Sequence, residues 1–140
     1  MYEQILYDVQ DPVAVITFNR PEALNALTGR MQREFKHALA AAESDPAVVG
    51  IVLTGAGRGF CAGADIGGLQ STADGKKGPA EDLSRLKASP GDPEMGENFK
   101  VSYTFMLSLK KPIIAAINGP CAGLGFCYAL LCDMRFAEKQ

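Results

Sequence analysis

Main-chain amides, more than side chains, are the groups in this sequence best placed to do chemistry. Two stretches, Gly59-Phe60-Cys61-Ala62-Gly63-Ala64-Asp65-Ile66 and Asn118-Gly119-Pro120-Cys121-Ala122-Gly123-Leu124-Gly125, each follow an apolar run and combine glycine with small side chains. Residues of that kind let the backbone approach another group closely, so N–H groups can converge on one acceptor. The second stretch also opens a helical segment, where unsatisfied N–H groups and the helix dipole favour negative charge. A pair of such donors can form an oxyanion hole, each donor being worth about 3 kcal/mol of barrier. Glycine accounts for 15 of the 140 residues, but tight turns and nucleotide-binding loops explain that excess as well. Neither stretch reads G-x-G-x-x-G, and no G-x-x-x-x-G-K-[ST] occurs, which argues against phosphate cradles of those two kinds.

The side-chain inventory narrows the chemistry further. Cys61, Cys121, Cys127 and Cys132 lack C-x-x-C spacing and His37 is the only imidazole, so no metal site is expected. A Ser-His-Asp or Cys-His centre is excluded unless His37 is its base. His37 falls in an apolar-periodic segment with Met31, Phe35, Ala38 and Leu39, which reads as a helix-edge or surface position. Lys plus Arg number 14 against 16 Asp plus Glu, a net charge of −2. That balance offers no cationic footprint for nucleic acid or an anionic membrane surface. The best apolar run, Phe105 to Ile117, is interrupted by Lys110 and Lys111 and is shorter than the ~20 residues of a spanning helix. The segment Met1 to Tyr7 has no basic, apolar signal-peptide pattern, so a cytoplasmic chain is the expectation.

The elements that must position these amides follow from the hydrophobic pattern. Gln4 to Val9 and Val13 to Phe18 predict two strands joined at Asp11-Pro12. Thr28 caps a helix with Met31, Phe35, Leu39 and Ala42 at helical spacing, ended by Asp45-Pro46. Val48 to Leu53 reads as a strand buried on both faces of a parallel sheet. From Gly67 to Gly96 the composition turns to Gly, Ser, Asp, Lys and Pro, a long excursion that reads either as a functional lid or as a tolerated insertion. A helix is expected from about Glu97 to Leu109, then a strand Ile113 to Ile117, an apolar helix from Gly123-Leu124-Gly125 to about Cys132, and a last strand Asp133 to Ala137. This alternation is that of an α/β fold with crossover helices. Nothing after Glu138-Lys139-Gln140 covers the last strand, and the chain is expected to be the N-terminal part of a longer protein. A complete small domain with a frayed tail is the alternative, disfavoured because parallel strands want helices on both faces.

Three segments together carry a resemblance. Asn19-Arg20-Pro21-Glu22-Ala23-Leu24-Asn25-Ala26-Leu27, Phe60-Cys61-Ala62-Gly63-Ala64-Asp65-Ile66, and Lys111-Pro112-Ile113-Ile114-Ala115-Ala116-Ile117-Asn118-Gly119 with Cys132-Asp133 resemble the crotonase superfamily, the enoyl-CoA hydratase and isomerase family. The resemblance covers residues 1–140 but only about the first half of the family's usual length, without the C-terminal helical region. It implies a ClpP/crotonase-like α/β spiral of repeated β-β-α units, incomplete here, that binds a coenzyme A thioester and polarises its carbonyl. The matching oxyanion donors are the N–H groups of Ala64 and Leu124, the latter commonly glycine in the family. Ala23, Leu24 and Ala62 match positions around the CoA moiety. Asp65 and Ile66 match positions along the pantetheine and thioester path, and Pro120 and Gly123 are further expected substrate-binding positions. Asp65 is expected to support the loop rather than act as a catalytic acid. Coenzyme A enters as part of the substrate, with no separate cofactor, and the full-length protein is expected to form a homotrimer or a dimer of trimers.

One departure bears on the reaction. Where hydratases of the family carry their first catalytic glutamate, this sequence has Cys127 between Phe126 and Tyr128. Hydration calls for two tuned carboxylates, one to activate water and one to protonate the α carbon. A thiol without a cationic partner stays protonated near its usual pKa of about 8.5 and, inside a helix, acts as a small hydrophobe. The second glutamate position lies past Gln140. Double-bond migration needs only one acid-base group, which Glu81, Asp82, Glu94 or Glu97 of the excursion can supply only if they are not simply solvated. Three readings stay open: a hydratase/isomerase-family enzyme, a non-catalytic acyl-CoA binder, and a structural fragment without activity of its own.

Overall fold

The computed structural model describes residues 2–67, 82–101 and 103–137. Among them a five-stranded sheet runs in sequence order, β1 (Ile5–Gln10), β2 (Val13–Phe18), β3 (Gly50–Gly55), β4 (Ile113–Ile117) and β5 (Met134–Ala137). The β1/β2 hairpin is antiparallel, from Ile5 opposite Phe18 to Gln10 opposite Val13. Every later pairing is parallel, with Ile16 beside Leu53, Leu53 beside Ala115, and Ala115 beside Arg135. Among the described residues, the helices α1 (Gly29–Ser44) and α2 (Leu124–Leu131) pack with this sheet.

Helix α1 starts where the sequence says. The Thr28 hydroxyl accepts the Met31 N–H at 3.0 Å, satisfying one of the donors a helix start leaves open. Its inward stripe of Met31, Phe35, Ala38, Leu39 and Ala42 is fully buried, and Phe35 meets Phe18 and Tyr128 edge-on at 5.5 and 5.3 Å between ring centroids. Burying such a side chain contributes about 2–3 kcal/mol. The helix also buries a carboxylate: Glu34 accepts the Glu3 and Gln4 N–H groups at 3.0 and 2.8 Å and lies 3.4 Å from Arg30. That tie holds the start of β1 against α1. At the other end Asp45 leaves the helical region ahead of Pro46, and its side chain accepts the Ala47 N–H.

Two expectations need correction. The third strand is Gly50–Gly55, displaced toward the C-terminus, and it alternates: Ile51, Leu53 and Gly55 are buried, whereas Gly50, Val52 and Thr54 are only partly so. The layer formed by α1, α2 and the 104–108 turn covers one face of the sheet, so a run that reads as buried on both sides is buried on one. The helix expected from Glu97 to Leu109 is instead two 3-10 turns, Glu97–Phe99 and Thr104–Ser108. Here the Thr104 hydroxyl donates to the Val101 carbonyl at 2.8 Å, and Ser108 donates to Phe105 at the same distance. Such local bonds compete with the helical ladder. Of the apolar positions Phe99, Tyr103, Met106 and Leu109 on which that helix is expected, Met106 is buried and the other three are only partly so, while Phe105 turns inward instead. Within the long excursion Ser84–Leu86 forms a single 3-10 turn, and the stretch 68–81 lies outside the described residues.

Candidate active site

The candidate site forms where β3 and β4 end side by side. Beyond β3 the chain turns tightly at Gly55, where a Cβ would come within 2.3 Å of the Gly59 carbonyl oxygen, so the close approach requires glycine. The bend that follows is stitched to the bend after β4. Phe60 and Cys61 both donate to the Pro120 carbonyl at 3.1 Å, Ala122 donates to the Cys61 carbonyl at 3.0 Å, and Cys61 stands opposite Cys121 as an isolated parallel bridge.

The segment 20–27 closes the arrangement from the other side. Ala62 donates to the Leu24 carbonyl at 2.9 Å, Leu27 donates to Gly63 at 2.7 Å, and Asp65 donates to Leu27 at 3.1 Å. Leu24 itself takes a left-handed backbone, φ 48°. These bonds bring Leu24, Ala62, Ala64, Pro120, Gly123 and Leu124 into one neighbourhood. Ala23 sits just before, at the end of the Pro21–Ala23 turn.

The two bends touch at their glycines. A Cβ on Gly63 (φ +108°) would lie 3.2 Å from the Ala122 carbonyl oxygen and 3.5 Å from the Leu124 nitrogen. Gly123 (φ +52°) packs in turn against the Gly63 Cα at 3.5 Å. The backbone bonds that fasten these bends use the N–H groups of Cys61, Ala62, Asp65, Ala122 and Gly125; those of Ala64 and Leu124 are not among them. Leu124 is the first residue of α2, so its N–H is one of the orphan donors at the positive end of a helix dipole.

The remaining predicted residues fall into place around this pair. Asp65 forms an ion pair with Arg20 at 2.8 Å, and the same Arg20 nitrogen donates to the Ala26 carbonyl at 2.6 Å. The carboxylate is thus engaged in bracing the loop. Ile66 is 72% exposed, and Ala62, Pro120 and Gly123 are exposed too, leaving the mouth of the site open. Cys127, expected as an interior helical thiol, is exposed on α2, because Gly125, Tyr128 and Ala129 take the inward positions. Burial pushes the Cys61 thiol up to about 11 and the Cys132 thiol up to about 12, so neither is a thiolate at neutral pH. His37 sits at the helix edge as read, its Nδ1 2.7 Å from the Tyr2 hydroxyl. Asp82, Glu94 and Glu97 are exposed, with Asp82 accepting the Ser84 N–H and Glu97 paired to Lys100; Glu81 lies outside the described residues. Sequence reasoning quoted Asn25 and Asn118 only as members of motifs and missed that both side chains hold the first bend. No neighbouring residue in the sequence marks either role.

The family model for enoyl-CoA hydratase/isomerase matches residues 8–140. The chain is 38% identical over 138 residues to a probable enoyl-CoA hydratase of Mycobacterium tuberculosis, covering 97% of this chain and 47% of that protein. It is 36% identical over 140 residues to the 1,2-epoxyphenylacetyl-CoA isomerase of Escherichia coli, covering all of this chain and 49% of that one. Among solved structures, an enoyl-CoA hydratase from Mycobacterium marinum superposes with a TM-score of 0.67 at 39% identity, over 96% of this chain and 50% of that chain. The chain therefore spans about half the length of the relatives it matches. With the family match over nearly its whole length, and relatives and folds agreeing, the chain belongs to the enoyl-CoA hydratase/isomerase family of the crotonase superfamily.

Proposed function

We propose that the protein carrying this chain acts on an acyl-CoA thioester, holding the thioester oxygen between the N–H groups of Ala64 and Leu124 while an enolate forms. The observation that carries this reading is the contact of the two glycine bends, which leaves those two amides outside the bonding that fastens the bends. As the α carbon loses a proton, or as water adds across the double bond, negative charge gathers on the thioester oxygen. Fixed donors at that point stabilise the charge without reorganising, each by about 3 kcal/mol. The CoA moiety would run past Ala23, Leu24 and Ala62, and the pantetheine arm and thioester past Asp65 and Ile66, with Pro120 and Gly123 also lining the substrate. Coenzyme A is part of the substrate and no further cofactor enters the scheme.

Hydration and double-bond migration differ in how many acid-base groups they use. Cys127 occupies the first hydratase glutamate position, which favours migration, where one group shuttles the proton between carbons. The exposed thiol also supports a second reading, an acyl-CoA binder that keeps the hole without the acid. Turnover of crotonyl-CoA and of a 3-enoyl-CoA by the intact protein, set beside binding of acetoacetyl-CoA, separates the two. Binding with turnover supports the enzyme, and binding without turnover supports the binder. Ala64→Pro, which deletes one donor, is expected to abolish most turnover; an unchanged rate refutes the hole. Met134 and Phe136 on β5, with Phe126 and Leu130 on α2, are about half exposed or more, and a homotrimer of the intact protein is the assembly we propose.

A further inference from the structure

Asn118 closes β4 and stands at the head of the second bend, yet its side chain works on the first. Its Nδ2 donates to the Gly55 and Gly57 carbonyls at 2.8 and 3.0 Å, and its Oδ1 accepts the Gly55 N–H at 3.2 Å. Gly119 follows with its Cα pressed against the same bend: a Cβ there would lie 2.1 Å from the Arg58 carbonyl oxygen. From below, Asn25, fully buried, donates through Nδ2 to Ala56 and Gly59 at 2.9 and 2.8 Å and accepts the Arg20 N–H at 2.8 Å. The exit of β3 is therefore clamped by two amide side chains, one from each neighbouring segment. Asn118 adds side-chain bonds to the backbone bonds that already tie the exit of β3 to the exit of β4.

We propose that Asn118 is the positioning residue that sets the spacing between the two bends, and through it the alignment of the Ala64 and Leu124 amides on one oxygen. This rests on the oxyanion reading above. An amide suits the task because it is neutral and presents both donors and an acceptor, so it can satisfy the N–H and the carbonyl of Gly55 together without adding charge beside a developing anion. Misalignment of a donor by an ångström is enough to cost about a hundredfold in rate, while contacts that bind the rest of the substrate stay intact.

The test uses the intact protein and acetoacetyl-CoA, whose bound enolate is read by ultraviolet absorbance as a function of pH. Donors that stabilise the enolate lower the midpoint of its formation relative to the free thioester. In Asn118→Ala this midpoint is expected to rise by about one pH unit, with kcat falling about 10- to 100-fold and KM changing less than about threefold. Asn118→Ser, which cannot span to Gly57, should follow in the same direction. Glu34→Ala is the control, because Glu34 ties the start of β1 to α1, accepting the Glu3 and Gln4 N–H groups at 3.0 and 2.8 Å, with no bond to either bend. It is expected to lower the thermal midpoint and leave the enolate midpoint unmoved. If the wild-type protein does not lower the enolate midpoint at all, the oxyanion reading itself fails and takes this inference with it. If the wild type does and both Asn118 variants keep the wild-type midpoint while folded, the hole stands and the role of Asn118 is overturned.

Discussion

Replacing Leu124 by proline isolates one donor with little collateral damage. Leu124 is the first residue of α2, and the next bonds of that turn, Gly125 to Ala122 at 3.0 Å and Cys127 to Gly123 at 3.1 Å, come from other N–H groups. Proline is tolerated at a first helical position because the missing N–H has no intrahelical acceptor there and the ring's fixed φ suits the helix. Leu124→Pro should therefore keep the fold while removing one of two oxyanion donors. Loss of a single donor of this kind costs about 10²- to 10³-fold in kcat, or about 3–4 kcal/mol. The leucine side chain packs on the core's edge, so Leu124→Ala serves as the reference that removes the side chain and keeps the N–H. Steady-state kinetics with the better of crotonyl-CoA and a 3-enoyl-CoA, with thermal melts in parallel, make the measurement. A kcat for Leu124→Pro within about threefold of Leu124→Ala, at an equal melting midpoint, refutes the assignment of this amide.

Other consequences can be checked on stability and reactivity. Glu34→Ala leaves the Glu3 and Gln4 N–H groups without their acceptor and Arg30 without its buried partner, so urea denaturation is expected to show a loss of about 3 kcal/mol. Burial keeps the Cys61 thiol neutral in the fold up to about pH 11, against an ordinary value of 9.0. The unfolded chain releases that proton first, so stability should decline as pH rises from 9 to 11, by on the order of 1 kcal/mol per pH unit; Cys61→Ala should flatten that slope. Produced alone, residues 1–140 expose the β5 edge together with Met134 and Phe136, and sedimentation is expected to show self-association. A soluble monomer with a cooperative melt would contradict that expectation.

The parts of the fold legible in the sequence are those decided locally. Alternating β-branched residues marked Val13 to Phe18, and Thr28 with the spacing of Met31, Phe35 and Leu39 marked α1, because a cap and a stripe act within a few residues. The 97–109 segment was misread where hydroxyls at Thr104 and Ser108 turned onto nearby carbonyls, an outcome that apolar periodicity does not register. At the site, glycine revealed both bends, since Gly63 and Gly123 occupy backbone conformations that disfavour other residues. The clamps stayed hidden for the opposite reason. Asn118 reaches Gly55 across 63 positions and Asn25 reaches Gly59 across 34, and pairings at that range depend on sheet register, not on any neighbouring residue.

The strands lie in the sheet in the order in which they are written in the chain. A ribosome releasing the polypeptide from its N-terminus would thus deliver each of these five strands to an edge already waiting for it, none of the five having to slide between two finished neighbours. Growth of the sheet can keep pace with synthesis, and at each stage the newest strand is the only ladder edge left open on that side.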